Sequence, residues 1–254
     1  MLTDAVVLAG SSKNRLLQQD GQVGNEALIP IGNKMMVEYV VEALKGSGKI
    51  GKIVIAGPVR ELSNFYRDEP RISLVDQGPS QVASLINGLE LLKPAAGQRV
   101  LVATADIPLL TTEAIDHFLE YCSAKEGDLF YPIVPKEVNE KYYPGVKRTY
   151  IPLRDGVFTG GNLFLVNSSV VRRCAAKAEE LVRLRKSPLG LSRQIGFVFI
   201  LKFLLRLLSL REVETKFSNL LGIKGEGVIF RYPEVGIDVD KPSDLALVRR
   251  ILAG

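Results

Sequence analysis

The chain has 254 residues, 46% of them hydrophobic, and a formal net charge of +5 from 33 basic and 28 acidic side chains. That length allows one large α/β domain or two small ones, and the apolar content is enough for a substantial core. The modest positive excess suits anionic small substrates, an acidic membrane surface or nucleic acid, with nucleic acid the weakest fit of the three.

Ala5-Val6-Val7-Leu8 is an apolar run with the character of a buried strand. It ends in Ala9-Gly10-Ser11-Ser12-Lys13-Asn14-Arg15. Small residues there let backbone N–H groups approach an anion, and Lys13 and Arg15 add charge, so the turn reads as a phosphate-binding loop or as a plain turn. A polar stretch with Gly21 and Gly24 follows, then Ala27-Leu28-Ile29-Pro30-Ile31-Gly32-Asn33-Lys34 and a helical pattern from Met35 to Leu44. Lys52–Ala56 and Ile72–Val75 read as strands, and Gln81–Leu92 as a helix with Val82, Leu85, Ile86 and Leu89 on one face. Arg99–Thr104 is a strand apolar on both faces, and a helix opened by the capping pair Thr111 and Thr112 runs to about Ser123. Asp128–Val134 begins another strand. From Pro135 to Gly161 the pattern loosens, with Lys136, Lys141, Lys147 and Arg148 interleaved with tyrosines. Leu163–Val166 restores a strand and a helix follows to about Leu184. The chain closes with a strand near Val228–Phe230, the extended Gly236–Asp240 and a helix to Leu252.

This alternation predicts an α/β fold: three layers, a mainly parallel sheet with helices on both faces, plus a small C-terminal helical insertion. We expect one domain over 1–254 with the insertion at 184–227. In such sheets ligands bind beyond the carboxyl ends of the strands, where Gly10, Gly78-Pro79-Ser80 and Asp106 fall. The segment Ile195–Leu210 is almost wholly apolar, with Lys202, Arg206 and Ser209 forming a narrow polar stripe. It is short for a spanning helix. We expect it to be buried against protein, in a helical subdomain that also offers a homodimer contact; peripheral membrane contact through 195–210 is the alternative.

Asp106, just past a strand and stiffened by Pro108, suits a hard cation such as Mg²⁺ or a turn cap. Asp238 and Asp240, two apart on an extended segment, point to one side and suit either a second acidic site or a cap of the last helix. Ser84 and Asn87 share a helix face. Gly160 and Gly161 before Asn162 permit close approach to a ligand, or make a tight turn. His117, the sole histidine, reads as a surface or packing residue. Cys122 and Cys174 have no metal spacing and are expected to be reduced packing residues. The N-terminus runs directly into a strand without a leader pattern, and a cytoplasmic location is expected.

Together these motifs resemble the MobA-like branch of the nucleotidyltransferase superfamily, with its GT-A-type, nucleotide-diphospho-sugar transferase-like fold, and its molybdenum-cofactor guanylyltransferases and methylerythritol-phosphate cytidylyltransferases. The opening motif matches Leu8-Ala9-Gly10 with Arg15, Ala27–Ile31 and Asn33-Lys34-Met35-Met36. The strand-end metal aspartate matches Asp106 with Pro108. The closing motif matches Asp238-Val239-Asp240-Lys241-Pro242-Ser243-Asp244-Leu245, and Ser84–Leu89 resembles a cytidylyltransferase helix. The resemblance covers residues 1 to about 170 and 228–254.

The resemblance implies transfer of an NMP from an NTP to a small phosphorylated acceptor, with release of pyrophosphate. Mg²⁺ would be held by Asp106 and Asp238, with Arg15 joining them in catalysis. Leu8, Ala9, Gly10, Ser11, Ser12, Lys13, Ser84 and Asn87 would bind the nucleotide. Lys136, Lys147, Arg148, Gly161 and Asn162 would bind the acceptor. The partners implied are an NTP and a small anionic acceptor, with no nucleic acid. Two residues depart from the pattern: Ser11 replaces a glycine, and Glu26 replaces the lysine expected before Ala27, leaving Lys13 or Lys34 to supply its charge. The alternatives are a glycosyltransferase that uses a nucleotide sugar, and a non-catalytic nucleotide-binding or membrane-docking module.

Overall fold

The computed structural model describes residues 2–10, 24–184 and 195–252. Ser11, Ser12, Lys13 and Arg15, and residues 185–194 of the expected insertion, lie outside the described residues. The sheet has nine strands: β1 Thr3–Leu8, β4 Ile50–Gly57, β5 Ile72–Asp76, β6 Arg99–Thr104, β7 Leu129–Pro135, β8 Ile151–Leu153, β9 Gly156–Gly160, β10 Leu163–Asn167 and β11 Gly225–Ile229. A separate small hairpin joins β2 Pro30–Ile31 to β3 Lys34–Met35.

In the order β5-β4-β1-β6 all neighbours are parallel. β10 then runs antiparallel between β6 and β7. β9 continues along the same edge of β7, and β11 lies parallel on its other edge. Only β9 and β10 oppose the common strand direction, so the sheet is mainly parallel, as the alternation predicts.

Helices cover both faces because the central strands are apolar on both. On β1, Ala5 and Val7 join one core, with Ile53, Ile55, Leu101 and Ala103 from the neighbouring strands. That face is covered by α1 (Met36–Gly46) and α4 (Thr112–Ser123), through Val40, Leu44, Ile115 and Phe118. α2 (Val59–Tyr66) adds Leu62. On the other face Val6, Leu8, Val54 and Val102 pack against α3 (Gln81–Leu92) and α6 (Ser168–Leu184). Thr111 caps α4 by accepting from the Ala114 N–H at 3.2 Å, whereas Thr112 donates to the Ala43 carbonyl at 2.9 Å and docks α1.

Two stretches differ from the sequence reading. The loose segment after Pro135 contains α5 (Lys136–Tyr142) and the β8–β9 hairpin. Their brevity, and the charged face of Lys136-Glu137-Val138-Asn139-Glu140, hide them from periodicity. The apolar stretch Ile195–Leu210 is not one helix. It gives α7 (Phe197–Leu204), a turn in which Arg206 takes φ 57°, and then α8 (Leu210–Leu221). Ser209, expected on the polar stripe, is the N-cap of α8 and forms a capping box with Glu212. Of the stretch expected to be buried in a helical subdomain, Ile195, Leu208 and Ser209 are buried, and the helix between them is not buried within this chain. No side chain of α7 is buried, and Phe197 is 76% exposed. The last helix, α9, spans Pro242–Leu252.

Gly88 marks the closest approach of α3 to the sheet: a Cβ there would lie 2.7 Å from Val6 Cγ1. Val6 is fully buried in the central strand and has nowhere to retreat. The overpacking cost of about 1–3 kcal/mol outweighs alanine's helix-propensity gain of about 1 kcal/mol. Gly88→Ala should therefore lower the urea midpoint, and Gly48→Ala, whose Cβ meets open space, should leave it within experimental error. Equal midpoints for the two variants would contradict this packing.

Candidate active site

At the C-terminal ends of β1, β4 and β5 the chain turns on small residues. A Cβ on Gly57 would lie 2.8 Å from Ala9 Cβ, and one on Gly78 would lie 2.5 Å from Ala83 Cβ. Leu8 and Ala9 are buried, and Gly10 is exposed beside Gln77. Asn25 was not singled out in the sequence. It is buried, its Nδ2 donates to the Ala9 carbonyl at 2.9 Å, and its Oδ1 caps the short 3₁₀ turn Glu26–Leu28 by accepting from the Ala27 N–H. Asn25 thus fixes the exit of β1 against the segment that carries Glu26. An Asn before a helical turn is a capping signal that could have found it. Lys34 is held by Glu42 at 2.6 Å.

At the end of β6, Asp106 accepts a hydrogen bond from the Thr104 hydroxyl, and its backbone carbonyl accepts from the Val239 N–H at 2.9 Å. That bond brings the closing segment across the end of β6. Ile237 and Val239 bury their side chains in a cluster with Ile31, Met36, Leu245 and Val248. Alternation in an extended segment then turns Asp238 and Asp240 the other way. Carboxylate oxygens of Asp106, Asp238 and Asp240 all lie within 4.8 Å of one another, with Asp106 and Asp238 half-buried and Asp240 exposed. Asp244 was quoted only as part of the closing motif. It is buried and accepts from the Asp240 N–H at 3.2 Å, steadying the acidic segment.

Arg148 meets this cluster. It donates through Nη1 to Asp238 Oδ1 and through Nη2 to the Asp238 carbonyl at 2.7 Å. Its side chain is 7% exposed, and its Nε has no hydrogen-bond partner. The loop that delivers it is tied to α5 by the Tyr143 N–H on the Asn139 carbonyl at 2.8 Å and by Asn139 Nδ2 on the Tyr150 hydroxyl at 2.8 Å. Burial pushes the Asp106 carboxyl above its ordinary range despite the Thr104 hydrogen bond, with the nearby Asp240 charge adding to the rise. Burial also pushes Asp238 up, to about 7. Arg148 opposes that rise, and the Asp106 and Asp240 charges add to it.

The other expected site residues are placed as follows. Ser84 is buried, and its hydroxyl is committed to the loop before α3, accepting from the Gly78 N–H at 3.0 Å and donating to the Ser80 carbonyl at 2.9 Å. Those two bonds shape that loop. Asn87 Nδ2 donates to the Asp76 carbonyl at 3.0 Å. Lys136 pairs with Glu140 at 3.4 Å and lies over the Tyr150 ring, and Lys147 is exposed. Arg148, expected to face the acceptor, donates to Asp238. Gly161 is buried where a Cβ would press on Pro132 and Val235, so packing accounts for it. Asn162 bridges two elements through its backbone, donating to the Val235 carbonyl at 2.7 Å and accepting from the Thr104 N–H at 3.0 Å. His117 is a surface residue stacked 5.2 Å from the Tyr232 ring. Cys122 and Cys174 are free thiols.

The raised Asp238 carboxyl has a signed consequence. Its folded value of about 7 lies above the unfolded value, so folding binds a proton between the two. The stability this contributes is complete below about pH 4 and is lost as pH rises through about 7. In a chelating buffer, the wild type should lose stability relative to Asp238→Asn across that window, followed by thermal melts. A constant difference between the two would contradict the environment described for Asp238.

Comparison with known proteins fits this geometry. The family model for the MobA-like NTP transferase domain matches residues 5–192. A 2-C-methyl-D-erythritol 4-phosphate cytidylyltransferase of Klebsiella pneumoniae subsp. pneumoniae is 30% identical over 122 residues, a match covering 46% of this chain and 50% of that protein. A bifunctional enzyme IspD/IspF of Granulibacter bethesdensis is 26% identical over 131 residues, covering 52% of this chain and 33% of that one. The matches thus span half or less of these curated relatives. Among solved structures, a hypothetical transferase from Thermus thermophilus superposes with a TM-score of 0.80 at 41% identity, over 96% of this chain and 100% of that one. A 4-diphosphocytidyl-2C-methyl-D-erythritol synthase shares the fold, with a TM-score of 0.61 at 14% identity over 99% of each chain. With close to three-quarters of its length matched by the family model, the chain belongs to the MobA-like NTP transferase domain family.

Proposed function

We propose that this chain is a Mg²⁺-dependent nucleotidyltransferase that moves an NMP from an NTP to a small phosphorylated acceptor, working as one domain over 1–254 with 184–227 as an insertion. The observation that carries the reading is the convergence of Asp106, Asp238 and Asp240 at the strand ends beside the Gly10 turn. The donor set consists of hard carboxylate oxygens. Two of the three carboxyls are pushed above their ordinary range by burial, which favours a binding partner of high positive charge density. These residues fit Mg²⁺, with Asp106 and Asp238 as holders and Asp240 beside them. When bound, the ion would neutralise phosphate oxygens of the nucleotide.

In the reaction an oxygen of the acceptor phosphate attacks the α-phosphorus of the NTP. The bond from that phosphorus to the bridging oxygen breaks, and pyrophosphate leaves with the electron pair. Little covalent work falls to the protein, so its residues position groups and shield charge. Thr104 orients Asp106, Asp244 steadies Asp240 through its amide, and Arg148 holds Asp238 in place. Asn25 fixes the Ala9 carbonyl and so the start of the Gly10–Arg15 loop, the proposed seat of the triphosphate. Lys147, exposed beside Arg148 in sequence, is the proposed contact for the acceptor's anionic group, with Lys136 as a second candidate.

An amide at position 106 cannot hold a cation against a triphosphate, yet it relieves the cost of a buried charge. Asp106→Asn should lose at least about two orders of magnitude in Mg²⁺-dependent pyrophosphate release, while its metal-free melting temperature stays level or rises. Wild-type turnover in this variant at saturating Mg²⁺ would refute the assignment.

A further inference from the structure

The face of α7 that turns away from the body of the protein is wholly apolar. Phe197, Val198, Leu201, Leu204 and Leu205 are exposed. At about 100° per residue they span about 120° of the helix circumference. Phe199, Ile200 and Phe203 face the other way and are half-buried, and the flanking Ile195 and Leu208 are buried and anchor both ends. The exposed Leu207 extends the patch. Beyond α7 the chain is fastened to the β8–β9 hairpin: the Arg154 N–H donates to the Leu208 carbonyl at 2.9 Å, and the Leu210 N–H to Asp155 Oδ2 at 2.7 Å. The apolar face is therefore held in position, and a contiguous exposed surface of this kind marks an interface.

The surrounding charge selects the occupant. Between Glu180 and Glu212 the sequence carries seven lysines and arginines and no acidic residue. Of these, Arg183, Lys202, Arg206 and Arg211 are exposed, with Lys202 held by Glu212 at 2.5 Å. A two-fold contact between copies of this face would press one cationic segment against its own image, and like charges so placed oppose association. An anionic lipid surface meets both features at once, because apolar side chains enter the headgroup boundary while arginines reach lipid phosphates. No helix among the described residues is long and apolar enough to cross a membrane, which leaves an in-plane arrangement.

We propose that α7, with Leu207 and the arginines around it, docks this protein in the plane of an anionic membrane surface. The contact goes beyond the transfer reaction and does not depend on it. The test is co-sedimentation of the full chain with phosphatidylcholine vesicles, with and without phosphatidylglycerol, together with light scattering of the free protein. Wild type should bind the phosphatidylglycerol vesicles at least about tenfold more tightly than pure phosphatidylcholine, since each basic group near the surface contributes on the order of a factor of five. The double variant Leu201→Glu/Leu204→Glu should lose that binding with an unchanged melting curve, because these side chains lie outside the core. Arg206→Glu/Arg211→Glu should reduce it and weaken its dependence on salt. Equal binding to both vesicle types, or none to either, overturns the proposal. So does a wild-type dimer that becomes monomeric in Leu201→Glu/Leu204→Glu without any effect of lipid, which would assign the face to a second copy.

Discussion

Three carboxylates gathered within 4.8 Å of one another are the constraint around which this structure is built. Burial, and behind it the like charges so close by, raise the Asp106 and Asp238 carboxyls above their ordinary range. Among the described residues, the Arg148 guanidinium donates to Asp238 and the Thr104 hydroxyl donates to Asp106. This leaves Arg148 Nε without a hydrogen-bond partner in a side chain that is almost fully buried. A group arranged in this way is stabilised further by added positive charge. That is the physical reason to read the cluster as a cation and phosphate site rather than as a structural knot.

The sheet makes the cluster by bringing distant parts of the chain to one end. Asp106 follows β6, next to β1 in the parallel half. Asp238 and Asp240 arrive from the other half, after β11 has paired with β7 and a short 3₁₀ turn, Pro233–Gly236, has redirected the chain. Burial of Ile237 and Val239 then decides which way the acids point. Arg148 comes from the loop between α5 and β8, braced by Asn139 and Tyr150. Each half of the sheet thus contributes acid, and the mixed half also contributes the counter-charge.

Much of this was legible in the sequence, and what was not has a physical cause. Arg99–Thr104 is a continuous apolar run, and the cores on its two faces, with Leu101 and Ala103 in one and Val100 and Val102 in the other, follow from that pattern. Asp106 and the Asp238–Asp240 pair stand out because strand ends and alternation are local properties. The pairing of Arg148 with Asp238 is not legible because an arginine in a loop carries no periodicity, and only the three-dimensional path of residues 143–150 brings the two together. Ser84 and Gly161 look like binding residues by motif, but their hydrogen bonds and close contacts are internal. Asn25 and Asp244 escaped notice because their partners are backbone groups, Ala9 carbonyl and Asp240 amide, which no side-chain pattern reports. The apolar stretch after Ile195 reads as buried against protein because apolar residues usually are, and the exposure of its helix is a tertiary outcome.

The central claim is that the acidic cluster is a divalent cation site, and the most direct measurement is a titration of chelator-stripped protein with Mn²⁺, followed by water-proton relaxation. The account predicts saturable binding of one Mn²⁺ per chain, reversed by excess Mg²⁺, strengthened by an NTP and absent from the double variant Asp106→Asn/Asp238→Asn. Indistinguishable Mn²⁺ binding in the wild type and that variant, with both folded, would contradict it.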